Sequence, residues 1–311
     1  MSFREGFIMR LEILDLVVCP ACKGKLELMY PTWTSETRFS FGSLVCAGCE
    51  KKYTVVDDIA ILKEPGWIGW EQYFSALQER TDEWQQWFWK LDDEIRNSYT
   101  SDEREGGRRT ESGLIAESGV KEADIILDVA TGRGLLLRAM CSIMSENALT
   151  VASDMEYTYQ MGLKWHFRRE GFYDKMSFVV CDARRLPFKD DAFGCVVSNA
   201  GLSNIREPEL AVKEAYRVVR PGYRVAMSLW SVAEGSKSWE KAAEIGIGSL
   251  IAPGKAEKCF KEVGFVEVSS EQYHSAVASY QNPYNAIPIK GDWYAYVGVW
   301  GKKPAANWKG G

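Results

Sequence analysis

A chain of 311 residues, 46% hydrophobic and 26% charged, is long enough for one large globular domain with an appendage, or for two domains. Its formal charge of −5 excludes a global basic signature, so nucleic acid would need a local patch and no DNA partner is expected. No apolar run approaches a membrane span, and the first residues carry Arg4, Glu5 and Arg10 without a long apolar core; no membrane partner and no export signal are expected, and the chain is assigned to the cytoplasm.

The first element is a pair of knuckles, Cys19-Pro20-Ala21-Cys22-Lys23-Gly24 and Cys46-Ala47-Gly48-Cys49-Glu50-Lys51. Two residues between cysteines let both thiolates converge on one ion, and the small residues allow the tight bend. Four thiolates suit structural Zn²⁺ and leave no open position for substrate, so Cys19, Cys22, Cys46 and Cys49 are the predicted metal ligands. Two dithiol couples facing each other across a hairpin-length insert are the weaker alternative. Between the knuckles, Leu26–Tyr30 and Phe39–Phe41 read as short strands, followed by Tyr53-Thr54-Val55-Val56, a turn at Asp57-Asp58, and Ile59-Ala60-Ile61-Leu62. Metal binding would supply much of the folding free energy of so small a module.

These strings, with Leu14-Asp15-Leu16-Val17-Val18 ahead of Cys19, resemble the zinc-ribbon family of methyltransferase activator subunits. The resemblance covers about the first 65 residues. It implies a module that docks on, and stabilises, a methyltransferase. Residues 1–66 hold eight Lys/Arg against nine Asp/Glu, which disfavours a phosphate-tracking surface and favours a structural or docking role.

Gly66-Trp67-Ile68-Gly69-Trp70 marks a change of composition and a boundary. Beyond it Tyr73, Phe74, Leu77, Trp84, Trp87, Phe88 and Leu91 recur near helical spacing, which predicts one or two amphipathic helices that pack on a neighbour or lid a pocket. The charged, glycine-interrupted stretch 101–109 is expected to be an exposed loop rather than a binding motif. The chain thus divides into a ribbon (1–66), an aromatic connector or lid (67–110) and a catalytic domain (111–311).

The catalytic stretch opens with Ile125-Ile126-Leu127-Asp128-Val129-Ala130-Thr131-Gly132-Arg133-Gly134-Leu135. A buried strand passes through a glycine-rich turn into a helix, and Gly132 and Gly134 would let a ligand approach the backbone. No Gly-Lys-Ser/Thr follows, as a phosphate loop requires, and Leu137 stands where a dinucleotide fingerprint has its third glycine. Two further apolar strands end in acids: Leu149–Asp154, whose carboxylate could accept from both hydroxyls of a ribose, and Ser177–Asp182, whose acid beside Leu186-Pro187-Phe188 suits an adenine. Phe193–Ser198 is a fourth strand opening at Asn199 over the expected site. The helix from Glu209 stops at Pro221-Gly222, and Arg224–Leu229 is a fifth strand. Strand and helix alternate with short links, which implies an α/β fold with a mostly parallel sheet.

Residues 125–230 resemble the class I S-adenosylmethionine-dependent methyltransferases, particularly the small-molecule, ubiquinone/menaquinone-methylase-like branch. The carrying strings are Leu127-Asp128-Val129-Ala130-Thr131-Gly132-Arg133-Gly134, Ala152-Ser153-Asp154, Cys181-Asp182-Ala183 through Phe188, and Arg217-Val218-Val219-Arg220-Pro221-Gly222. The resemblance implies a Rossmann-like, doubly wound, seven-stranded sheet whose last two strands, near residues 264–268 and 293–304, form an antiparallel edge. It also implies S-adenosylmethionine held by Asp128, Ala130, Thr131, Gly132 and Gly134 on the methionine side, Asp154 at the ribose and Asp182 at the adenine amino group, with Met155 and Ala183 also among the cofactor-binding residues. Asn199 would lie nearest the transferable methyl. Two departures stand out: Gly194 replaces an Asp common in relatives, and Asn199 is followed by Ala200-Gly201 rather than the Pro-Pro-aromatic string of amino-methylating nucleic-acid enzymes.

Methyl transfer from a sulfonium chiefly needs the acceptor held in line, so no catalytic base is assigned to His166 or His274. Cys141, Cys181, Cys195 and Cys259 read as core. The expected function is a methyltransferase acting on a small-molecule acceptor. The alternative is an RNA or protein acceptor docked by the ribbon with Arg104, Arg108, Arg109, Arg168, Arg169, Arg184 and Arg185. The intact acids and glycines argue against a non-catalytic binding protein.

Overall fold

The computed structural model describes residues 9–35, 38–63 and 82–305. Arg4, Glu5, Trp67, Trp70, Tyr73, Phe74 and Leu77 lie outside these, as do the side chains of Trp84 and Trp87. In chain order the ribbon supplies β1 (Met9–Arg10), α1 (Ile13–Leu16), β2 (Leu26–Ser35), β3 (Arg38–Cys46), β4 (Lys52–Val56) and β5 (Ile59–Ile61). Two helices follow, α2 (Asp82–Asn97) and α3 (Ser101–Ser118). Then come β6 (Ile125–Val129), α4 (Leu135–Met140), β7 (Leu149–Asp154), α5 (Tyr157–Arg169), β8 (Met176–Val180), β9 (Phe193–Ser198), α6 (Pro208–Val218) and β10 (Val219–Val232). The chain closes with α7 (Lys237–Glu244), α8 (Lys255–Val263), β11 (Val266–Val277) and β12 (Trp293–Lys302).

Seven strands in the order β8-β7-β6-β9-β10-β12-β11 make the expected sheet, parallel from β8 to β10 and antiparallel at the β12-β11 edge. Strands β6 to β9 are buried on both faces, as runs such as Phe193-Gly194-Cys195-Val196-Val197 require. The chain reverses beside β6, between β7 and β9, and this switch point opens the crevice where open α/β sheets bind ligands.

The ribbon does not sit apart from this sheet. Strand β5 pairs in parallel with β8 (Ile59 with Phe178, Ala60 with Val179, Ile61 with Val180), so the ribbon strands continue the sheet to twelve among the described residues. Leu62 N donates to Val180 O at 2.8 Å, Val18 N to Pro187 O at 2.8 Å, and Lys189 N to Leu16 O at 2.8 Å. The ribbon thereby covers what would be an exposed parallel edge strand.

Residues 101–109 form the start of α3, not the loop expected from their charges and glycines. Thr100 accepts from Glu103 N, and Glu103 reaches back to Thr100 N at 2.7 Å, a complete capping box. Gly106 is required by packing: a Cβ there would come within 2.5 Å of His274. The helix runs through residue 110, where the sequence suggested a boundary. Residues 272–277 extend β11 well beyond the strand expected near 264–268. Gly194 has a local reason as well, because a Cβ would press within 3.0 Å of Asp124, which pairs with Arg220.

Candidate active site and metal centre

The four knuckle cysteines meet, with all four sulfurs within 4.8 Å of one another. Cys19 Sγ and Cys49 Sγ are 3.6 Å apart, and Cys22 Sγ and Cys46 Sγ 3.4 Å. A tetrahedral Zn²⁺ with bonds of about 2.3 Å requires sulfurs about 3.8 Å apart, so the set fits the ion. Gly48 N and Cys49 N both aim at Cys46 Sγ at 3.4 Å, and the Tyr53 hydroxyl lies 3.3 Å from Cys19 Sγ. These outer contacts orient the thiolates.

The crevice at the switch point is a cavity of about 790 Å³, within the span of small-molecule sites. Its floor is the turn after β6. Ala130, Gly132 and Gly134 all have positive φ (52°, 53° and 69°), and Thr131 Oγ1 ties the turn to β6 by donating to Asp128 O at 2.9 Å. A Cβ on Gly132 would meet no atom closer than 4.0 Å, so that bare backbone forms an open cradle. Gly134 serves another purpose. A side chain there would come within 2.4 Å of Leu163, so the residue lets α5 pack against the turn rather than admitting a ligand.

Asp154, at the end of β7, accepts from Gly132 N at 2.7 Å and from Glu156 N at 2.9 Å, locking the cradle to the strand. Burial pushes its carboxyl pKa up, with those backbone donors pulling the other way. If its ionised form holds ribose hydroxyls, affinity is lost as pH falls through this raised value, above the roughly 3.9 of a free aspartate. Calorimetric titration of S-adenosylhomocysteine from neutral pH downward should therefore show weakening before ordinary carboxylates protonate. Affinity that is flat to about pH 4 would reject that role for Asp154.

Asp182, beyond β8, is gripped by Arg184, whose backbone N, Nε and Nη2 reach it at 2.9, 3.0 and 2.7 Å. Burial alone would raise its pKa, but the Arg184 hydrogen bonds outweigh it and the carboxylate is held below its usual value. Asn199 Oδ1 accepts from Ser228 Oγ at 2.8 Å, and the same hydroxyl accepts from Ala200 N at 2.8 Å.

The roof comes from α2 and α3. Asp92 is 1% exposed and bonds Arg133 of the turn at 2.6 Å and Arg96 at 2.8 Å, fastening α2 over the cradle. Phe88 of α2 packs against Gly162, where a Cβ would come within 2.4 Å of its ring. Trp89 lies 5.1 Å from His166. The described aromatics of α2 thus pack on the domain, while the residues of this helix that line the cavity are Ile95 and Arg96. Trp230 stacks on Tyr296 at 5.4 Å and meets Tyr99, between α2 and α3, edge-on at 6.3 Å, while Asn285 donates to the Tyr99 hydroxyl at 2.8 Å.

Of the residues predicted for the cofactor, Ala130, Thr131, Gly132, Asp154, Met155, Asp182, Ala183 and Asn199 line this cavity. Asp128 and Gly134 do not. Asp128 lies beneath the turn, 1% exposed, and its carboxyl pKa is driven well up by burial and then by the Asp154 charge. His166 and His274 are outside the lining, and burial lowers the pKa of His166 to about 4. Sequence reasoning missed Tyr99, Glu111, Ser228, Trp230 and Tyr296, which line the cavity too, and named Arg104 only as a docking residue for a polymer. Only the capping-box pattern Thr100-x-x-Glu103 could have signalled the helix that carries Arg104 and Glu111.

Residues 127–227 match the family model of a methyltransferase domain, and residues 10–58 match that of Trm112p-like protein. The chain thus carries a segment similar to a methyltransferase domain after a segment similar to a Trm112p-like protein. Over 108 residues it is 32% identical to the ubiquinone/menaquinone biosynthesis C-methyltransferase UbiE of Pectobacterium carotovorum, covering 35% of this chain and 43% of that protein. The chain spans less than half the length of such curated relatives. Among solved structures it is similar to the [4+2]-cyclase SpnF (18% identity, TM-score 0.51, 64% of this chain and 81% of that one). It is also similar to a putative methyltransferase of Bacillus halodurans (18% identity, TM-score 0.50, 63% and 99%). These likenesses show the fold, and a cyclase among them illustrates that the reaction must be argued from the site.

Proposed function

We propose that the protein is an S-adenosylmethionine-dependent methyltransferase acting on a small-molecule acceptor. The observation that carries this reading is one continuous cavity running from the acid-tipped strand ends to the wall of Tyr99, Trp230 and Tyr296. The cofactor would supply an electrophilic methyl group. Gly132 leaves room for its methionine portion, Asp154 offers acceptor oxygens to the ribose, and Asp182 or its Arg184 partner flanks the adenine. Ser228 fixes the Asn199 amide at the mouth of the turn, and the aromatic wall would orient the acceptor and exclude water. No proton-accepting side chain is assigned.

The roof and wall favour an acceptor that enters the crevice whole. The ribbon spends β5 on β8 and its α1–Cys19 segment on residues 187–189, which favours a built-in structural part over a docking arm. No helix among the described residues is long and apolar enough to cross a membrane.

The test is calorimetry with S-adenosylhomocysteine followed by labelled methyl transfer into separated metabolite, RNA and protein pools. Binding and label in the metabolite pool are expected. Absence of binding at high ligand concentration rejects the cofactor assignment, whereas label in RNA, with affinity falling steeply in salt, would replace the small-molecule acceptor by a polymer.

A further inference from the structure

Of the charged side chains that line the cavity, Arg104 and Glu111 are half-buried and have no counter-charge in contact among the described residues; Glu103 and Asp154 are held by hydrogen bonds, and Glu156 and Arg206 are exposed. Arg104 of α3 lines it and donates only to the carbonyl of Tyr99. Glu111, also of α3, lines it with no hydrogen bond or ion pair among the described residues. The neighbouring cations are engaged elsewhere: Arg96 and Arg133 on Asp92, Arg108 on Glu105. Charged groups facing a partly buried cavity are ordinarily paired, and an unpaired couple of opposite sign is suited to a ligand that carries both signs.

Helix geometry puts the pair in register. Arg104 and Glu111 lie seven residues apart on one face, about 10.5 Å along the axis, a gap their side chains can close from the two ends. Between them on that face sits Gly107, which also lines the cavity, and a Cβ there would meet nothing within 4 Å. The face is therefore a cation and an anion flanking a bare stretch of backbone. It looks onto the cradle: burial raises the Glu111 pKa, and the opposing influences are the charges of Arg108, Arg138 and Arg133, the last in the glycine turn itself. Leu135, which starts α4, shares the lining. In the aromatic wall, Trp230 and Tyr296 belong to β10 and β12, and Tyr99 lies just ahead of α3.

The geometry points to α3 as a zwitterion clamp, with Arg104 holding the α-carboxylate and Glu111 the α-ammonium of the cofactor's amino-acid end above Gly107. This rests on the assignment of the cavity to S-adenosylmethionine. It makes the helix that roofs the cavity a reader of the amino-acid end, so that adenosine-type ligands without that end gain nothing from it. Such a clamp also explains why a stretch rich in Arg, Glu and Gly folds as a cavity-lining helix rather than as a solvated loop.

Three ligands separate the clamp from its alternatives by calorimetry: S-adenosylhomocysteine, its decarboxylated form, which keeps the amine, and 5′-methylthioadenosine, which has neither charge. Glu111→Gln should weaken the first two by on the order of tenfold or more, and Arg104→Met should weaken only the first to that extent, since each loses a charge-assisted hydrogen bond. Methylthioadenosine should bind wild type and both variants alike, which also certifies that the variants are folded. Unchanged S-adenosylhomocysteine affinity in both variants overturns the clamp. So does parallel loss of methylthioadenosine binding, which would mean that the residues only shape the helix. If wild type binds methylthioadenosine and S-adenosylhomocysteine equally, the cofactor site stands and the clamp falls; if it binds neither, the cofactor assignment itself falls.

Discussion

Removing the metal from the four-cysteine centre is expected to abolish S-adenosylhomocysteine binding along with the fold of the ribbon. The buried side chains of the ribbon, among them Phe39, Leu44 and Val55, run into the core of the larger domain, and structural zinc contributes on the order of 10–16 kcal/mol in comparable peptides. That is comparable with the total stability of about 5–15 kcal/mol typical of a domain, so loss of the ion is expected to unfold the knuckles. The consequence passes to the cofactor site through β5. That strand is the neighbour of β8, and Asp182 stands just beyond the end of β8. Lys23, inside the first knuckle, also donates from Nζ to Leu186 O at 2.8 Å, holding the segment that follows Asp182. A chelator, or Cys46→Ser, should therefore expose β8 as an edge and loosen the Asp182 turn, more than 130 residues away along the chain. The checks are a thermal melt and calorimetry on chelated protein, with zinc restored as the control. Unchanged melting and unchanged affinity would show that neither the ribbon nor the cavity depends on the metal.

The parts of this architecture that were legible beforehand are those with dense local signals. Paired knuckles, acids at strand ends and a glycine turn each constrain a few consecutive residues, and the structure brings most of them together. Gly132 and Gly134 could not be told apart, because a glycine that leaves open space and one that makes room for Leu163 look alike in sequence. The same holds for Asp128, whose position at a strand end resembles that of Asp154 but whose side chain points under the turn rather than into the cavity. The roof was illegible for another reason. In α3 the polar face is the one that meets the cavity, so its Arg, Glu and Gly residues mimic a solvated loop. The aromatic wall joins Tyr99, Trp230 and Tyr296, and such contacts across distant segments leave no periodic trace. The sharing of one sheet by ribbon and catalytic domain was equally hidden, since Ile59-Ala60-Ile61 reads as a hairpin arm whatever it pairs with.

The second large effect is expected where the ribbon turn packs on α5 of the larger domain. Lys164 of α5 is 0% exposed and donates from Nζ to the carbonyl of Asp57 at 2.8 Å; it also pairs with the Asp57 carboxylate and, at 3.1 Å, with that of Asp58. Tyr173 donates its hydroxyl to Asp58. Asp57 and Asp58 form the turn between β4 and β5, both at positive φ, so this cluster sets where β5 lies against β8. Lys164→Met takes away the ammonium that two carboxylates, each 1% exposed, share. Leaving buried charge uncompensated costs about 3–5 kcal/mol, while a buried pair replaced as a whole can be nearly neutral. The single variant should thus lose about that much stability in urea at neutral pH, and Lys164→Met with Asp57→Asn should recover part of it. Acid should help as well. Burial, and then the Asp57 charge, raise the pKa of Asp58 above its unfolded value, opposed by Lys164. A folded state with the raised pKa binds the proton more readily, so the penalty is full above that pKa and shrinks as pH falls through it. The deficit of Lys164→Met against wild type should accordingly be smaller at pH 5 than at pH 7.5. A deficit that grows on acidification, or a variant as stable as wild type at pH 7.5, would mean that this cluster does not hold the ribbon turn in place.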